Sequence, residues 1–139
     1  MKEFEWYVSN QKVKRISPDT NECTSLLKKA VARIAYVTKQ EIDEDNAIFI
    51  FEDIYECMRE AVHALMSLKG YKPYSHEATV AFLSEFYKDE FNENEIRAFD
   101  RFREMRNDIV YSSRYISRDE AEEALLFAVK FVEKIKAIP

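Results

Sequence analysis

Arg106, Asn107 and Tyr111 are the residues of this chain whose types and spacing could act on a charged ligand. They lie in the run Arg106-Asn107-Asp108-Ile109-Val110-Tyr111, near the end of a segment that keeps helical periodicity from Asn92 onward. On a helical wheel Ile96, Phe99, Phe102, Met105, Ile109 and Val110 share one arc, and Arg106 falls inside it. A guanidinium stays charged at any ordinary pH and costs several kcal/mol to desolvate alone, so it requires a partner. Two kinds are open to it. One is a carboxylate of the chain, with Asp53 and Glu56 the candidates. The other is the phosphate of a ligand, which arginine grips through two parallel hydrogen bonds. Asn107 can hold a sugar or phosphate oxygen, or tie down the helix end. Tyr111 can pack that end or contact a nucleotide. Arg114 and Tyr115, just beyond, can stack on a base or phosphate, or sit in a solvated loop. Arg103, on the edge of the arc, is expected in a surface salt bridge.

Other chemistries find no support. A single glycine cannot build a phosphate-cradling loop. Two histidines, His63 and His76, with Cys23 and Cys57 far apart, match no zinc spacing, and the cysteines read as buried free thiols. Glu60 with His63 is one Glu-x-x-His pair where a di-iron bundle needs two. No metal and no cofactor are expected. The most basic stretch, Lys12-Val13-Lys14-Arg15, is a solvated connector or a phosphate contact. A net charge of −5 gives no overall footprint for duplex DNA. No apolar run approaches a membrane span, and the first residues are too acidic for a signal peptide, so a cytoplasmic protein is expected.

The elements that must position these residues are helices. The 139 residues suit a single domain, 1–139, and one glycine with three prolines leaves little material for turns. Residues 1–16 read as a short helix followed by an extended arm. Ser17-Pro18-Asp19, with Glu22, opens a helix to about Lys39. The most apolar helix covers about 47–68, with a stripe wide enough for several neighbours or a dimer partner, and with Asp53, Glu60 and His63 on its polar side. Gly70 stops it. Ser75 caps a helix to about Tyr87, Asn92 with Glu95 caps the helix that carries Arg106, and Ser117 with Glu120 caps a last one to about Ala137. The expected fold class is all-α, an antiparallel bundle of four to five helices.

Placed near the end of a late helix in such a bundle, Arg106-Asn107-Asp108-Ile109-Val110 resembles the arginine half of the signature of HEPN domains (higher eukaryotes and prokaryotes nucleotide-binding). The Ser17-Pro18-Asp19 helix start, the Gly70–His76 loop and the helix after the signature are similar as well. The signature's histidine position holds Tyr111. The resemblance implies a HEPN-like homodimer formed through the signature helix and the helix at 47–68. In HEPN ribonucleases an arginine and a histidine from two subunits cleave RNA without a metal, the arginine steadying the phosphorane and the histidine acting as acid or base. It follows by resemblance that Arg106 and Tyr111 occupy the catalytic positions. Arg106, Asn107, Tyr111, Asp53 and Arg114 are then candidate contacts to RNA or a nucleotide. A tyrosine of pKa about 10 is a poor base at neutral pH, and losing a general acid or base costs about 10²–10⁴ in rate. Ribonuclease activity is therefore expected to be weakened or absent, and His76 could substitute only if its loop folds over the cleft. A toxin–antitoxin or defence role, with a small nucleotidyltransferase as partner, is the family's common setting. The rival reading is a helical dimeric protein–protein interaction module with no nucleic-acid ligand.

Overall fold

The computed structural model describes residues 1–139. Six helices and one two-stranded ribbon follow in the order α1 (Phe4–Ser9), β1 (Val13–Arg15), α2 (Thr20–Thr38), α3 (Ala47–Lys69), β2 (Tyr71–Pro73), α4 (His76–Phe86), α5 (Glu93–Ser112) and α6 (Arg118–Lys136). The all-α bundle expected from composition is present, with five principal helices and a short leading one. No helix is long and apolar enough to cross a membrane.

Caps set most of the boundaries. Asp19 accepts from the Glu22 amide at 2.9 Å to start α2. Asn92 and Ser117 each form a complete capping box, with Glu95 and Glu120 respectively, so α5 and α6 begin where the sequence placed them. Gly70 closes α3 in the left-handed region at φ 89°. A Cβ there would stand 2.7 Å from the Ile16 carbonyl oxygen, so the position excludes any side chain.

α3 is the axis of the molecule. It packs against α2, α4, α5 and α6, and 14 of its residues are buried. The width of its apolar stripe is thus consumed within the chain, and its solvent-facing strip is mostly polar: Glu52, Asp53, Glu56, Arg59 and His63. Of the two readings of that stripe, several neighbours within the bundle is the one its packing realises. α5 runs antiparallel to both α3 and α6. Tyr55 and Phe51 of α3 meet Phe99 and Phe102 of α5 in that order, while Phe99 and Phe102 meet Phe131 and Phe127 of α6. Each buried phenylalanine adds about 1.5–3 kcal/mol, so this aromatic seam fixes α5 firmly as far as Phe102.

Residues 1–16 form the short helix as expected, but the arm after it is not free. Val13–Arg15 pairs antiparallel with Tyr71–Pro73, with Lys14 opposite Lys72. The Ile16 amide donates to the Gly70 carbonyl at 2.9 Å and the Tyr74 amide to that of Lys12 at 2.8 Å. A solvated connector is therefore not what the basic stretch is. Its main-chain groups clamp the 70–75 loop, and Arg15 is paired with Glu5. The consequence for the site is direct, because this loop delivers His76.

Candidate functional site

α5 keeps the phase read from the sequence but outruns its neighbours. Phe99, Phe102 and Met105 are buried. Ile109 is half-buried, Val110 is 46% exposed and Tyr111 is 83% exposed. Arg106 sits at the changeover, on the inward side yet partly open to solvent. Its side chain makes no hydrogen bond and no ion pair. The chain has nine arginines, and each of the other eight holds a carboxylate.

Arg103, one turn earlier, is the buried arginine of the helix at 8% exposure, not the surface residue expected. Its Nε donates to Asp100 at 2.7 Å, and its Nη2 lies 3.9 Å from Glu77 and 3.6 Å from Glu104. Burial works against its charge, but Asp100 and Glu77 outweigh that and hold the guanidinium above its ordinary pKa. Glu77 in turn accepts from the Tyr7 hydroxyl of α1, so α1, α4 and α5 are tied at one point.

That point brings the first residue of α4 into the site. Ser75 caps α4 by accepting from the Ala78 amide at 3.3 Å, and His76 follows it. The His76 ring packs on Tyr55 of α3, centroids 5.8 Å apart, and the Tyr55 ring is also stacked on Phe99 of α5 at 6.2 Å. One turn along α3, Arg59 donates to both carboxylate oxygens of Glu56, with Nε to Oε2 at 3.1 Å. The positive charges of Arg59, Arg103 and Arg106 all act on both His76 and Tyr55.

The titratable groups respond accordingly. Burial first, then Arg59 and Arg106, lower the His76 imidazole below its ordinary value, with Glu56 opposing, so the ring is neutral at pH 7. Burial pushes the Tyr55 phenol far up despite the arginines, so it stays a protonated donor. Burial would raise Glu56, but its bond and charge contact with Arg59 hold it low. The Tyr55 hydroxyl is sealed from solvent and has no hydrogen-bond partner. A buried hydroxyl left in that state costs about 1–3 kcal/mol.

The sequence-derived site residues divide. Arg106 stands in this corner, with Asn107 and Tyr111 exposed on its rim and making no side-chain bonds. Asp53 does not join them. It faces α2, with Oδ1 3.3 Å from Arg33 Nη1, because its register on α3 points away from α5. Arg114 is paired with Glu120 at 2.7 Å and lies 3.7 Å from Asp108. Tyr115 donates to Glu44. Tyr55 and Arg59, which the sequence reading did not single out, are brought in by α3. Their four-residue spacing, which stacks them on one helix face, was the signal available. No group of histidine, cysteine or carboxylate side chains could hold a metal ion. The largest cleft, about 570 Å³, lies elsewhere, between the end of α4 and the start of α5, and Arg106 does not line it. Chemistry, not volume, marks the corner described here.

No curated protein and no solved structure matches the chain at a significant level. The sequence model of the HEPN domain matches residues 23–138, from the first turn of α2 to the end of α6. The match covers most of the chain, including α3, α4 and α5, which build the arginine corner, and so the protein belongs to the HEPN domain family.

Proposed function

We propose that this HEPN domain binds single-stranded RNA or a nucleotide through Arg106, as one half of a homodimeric, toxin-like or defence-related system. Its ribonuclease activity is weakened because Tyr111 stands where the family places a histidine. One observation carries the reading: of nine arginines, Arg106 alone holds no carboxylate, although it sits on the packed side of its helix. A cation in that setting is matched by an anion from outside the chain, and a phosphate oxygen fits the guanidinium fork. Asn107 and Tyr111 lie exposed beside it, where a sugar or base would pass. A small nucleotidyltransferase is the partner proposed for the pair.

Fluorescence anisotropy with labelled single-stranded RNA and with adenine nucleotides, at low salt, tests this. Arg106→Ala is expected to weaken binding about tenfold, since a hydrogen bond to a charged group is worth about 1.5–3 kcal/mol. Raising the salt should weaken the wild type steeply. Equal affinity of the two proteins at low salt overturns the reading.

A second reading, a protein–protein interaction module, is favoured by one feature: Val110 and Tyr111 present apolar surface at the free end of α5. Under it, a partner protein co-purifies, and Tyr111→Ala releases it while no RNA binds.

A further inference from the structure

We propose that the outer face of the β1–β2 ribbon is a docking surface for single-stranded nucleic acid, on which Lys12, Lys14 and Lys72 meet backbone phosphates and Tyr74 stacks on a base. The surface is separate from Arg106 and stands on observations of its own. In an antiparallel pair, directly opposed residues share a face, and so do alternate residues of one strand. Lys14 stands opposite Lys72. The Tyr74 amide donates to the Lys12 carbonyl at 2.8 Å, which sets Tyr74 opposite Lys12. One face of the ribbon therefore carries three lysines and a tyrosine, all exposed, Tyr74 at 59%. The Lys72 Nζ lies 5.6 Å from the centre of the Tyr74 ring, on the same side of the strand. The other face is the packed one. Val13 is buried there, and Tyr71 meets Phe4 edge-on at 5.0 Å. Arg15, in phase with Val13, is held by Glu5.

The chemistry of this face asks for a polyanion. The chain as a whole carries −5, yet no aspartate or glutamate occurs between Glu5 and Asp19 or between Glu60 and Glu77, so both strands and their flanks supply cations only. Like charges directly opposed across an antiparallel pair cost stability, and Lys14 with Lys72 is such a pair. A phosphate lying between them removes that cost. Guarding a sheet edge against other chains does not explain the lysines, because strands of three residues with Pro73 in β2 are already poor templates. The exposed ring among the lysines selects the class of polyanion. Every base offers a face to stack on an aromatic side chain, and an acidic peptide offers none. A base must leave its duplex neighbours to lie on the ring, so a single strand is the form that fits.

The test is anisotropy with a short labelled RNA of unstructured sequence, titrated at a series of salt concentrations. Lys12→Gln, Lys14→Gln and Lys72→Gln combined should weaken binding at low salt about tenfold or more. The same variant should make the plot of log affinity against log salt shallower by about 2. Lys39→Gln, Lys130→Gln and Lys136→Gln combined remove the same charge from exposed lysines elsewhere and should match wild type. Tyr74→Ala should weaken binding about tenfold with the salt slope kept, and Tyr74→Trp should restore it. The same series on DNA of that sequence tells which nucleic acid is the source. A ribbon triple variant that binds like the control triple, or Tyr74→Ala that binds like wild type, overturns the ribbon surface and leaves the Arg106 reading untouched. Arg106→Ala with unchanged affinity, beside a weakened ribbon triple, removes Arg106 and keeps the ribbon. Duplex RNA or oligoglutamate that displaces the probe as well as single-stranded RNA does overturns the assignment to a single strand. Should the triple variant unfold, Lys72→Gln alone decides, with a slope shallower by about 0.7.

Discussion

Two polar regions flank α3, and they are built on opposite terms. On the α2 side Glu60 is 2% exposed and is held by Arg33 Nε at 3.0 Å and Lys29 Nζ at 3.2 Å, while Arg33 also reaches Asp53. Charges there are matched inside the chain. On the α4–α5 side the carboxylates Glu56, Asp100 and Glu77 are taken up by Arg59 and Arg103, and Arg106 is left over. The first region is what a structural arginine cluster looks like. The second has the same residue types with one anion too few. Within one small domain, the comparison separates arginines that hold helices together from an arginine left without a carboxylate.

The largest effect expected from breaking this contrast is on the matched side. Glu60→Ala leaves Arg33 half-enclosed without its buried partner and should cost about 3 kcal/mol of stability, read from urea unfolding midpoints at constant m. RNA affinity should not change. A smaller effect of opposite sign belongs to the open side. Tyr55→Phe removes the unpartnered hydroxyl and should raise the ligand-free stability by about 1 kcal/mol. A loss of stability would mean the hydroxyl is bonded in solution.

The pH dependence sharpens the comparison further, because each region owns one histidine with a lowered pKa. For His63 burial is the main cause, outweighing Glu22 at 3.8 Å, with Arg59 and Lys72 adding to it. For His76 burial leads, followed by the arginines. In both, the unfolded chain binds the proton more readily. Their contribution is therefore fully present above the unfolded value of about 6.5 and is lost as pH falls through the lower folded values. Thermal midpoints between pH 7.5 and 5 should drop in the wild type, less in His63→Gln and in His76→Gln, and least in the double variant. The smallest effect is on Arg106. With no bond to lose, Arg106→Ala should change stability by under about 0.5 kcal/mol, in contrast to Glu60→Ala. A large loss would show that Arg106 is structural after all.

Much of the molecule could be read directly from residue order. Asp19, Gly70, Ser75, Asn92 and Ser117 each bound a helix as expected, because a cap is a local hydrogen bond or a local φ angle that needs no distant partner. The phase of α5 and the family signature around Arg106 were equally local. The strand pair was not visible, since two three-residue strands 55 residues apart carry too short a pattern to announce their pairing.

The roles of the charged residues came only from the fold. Sequence placed Arg106 inside the apolar arc of α5 and Arg103 at its edge, and helical geometry fixed that much. It could not say that α5 would overrun its neighbours at Arg106 while Arg103 stayed beneath Asp100 and Glu77. Nor could it say that Asp53 would turn to α2, or that a clamped loop would set His76 on Tyr55. Helix formation depends on residues three and four apart, whereas the pairing of a charge depends on which helices meet, at what register, and where one of them runs out of company.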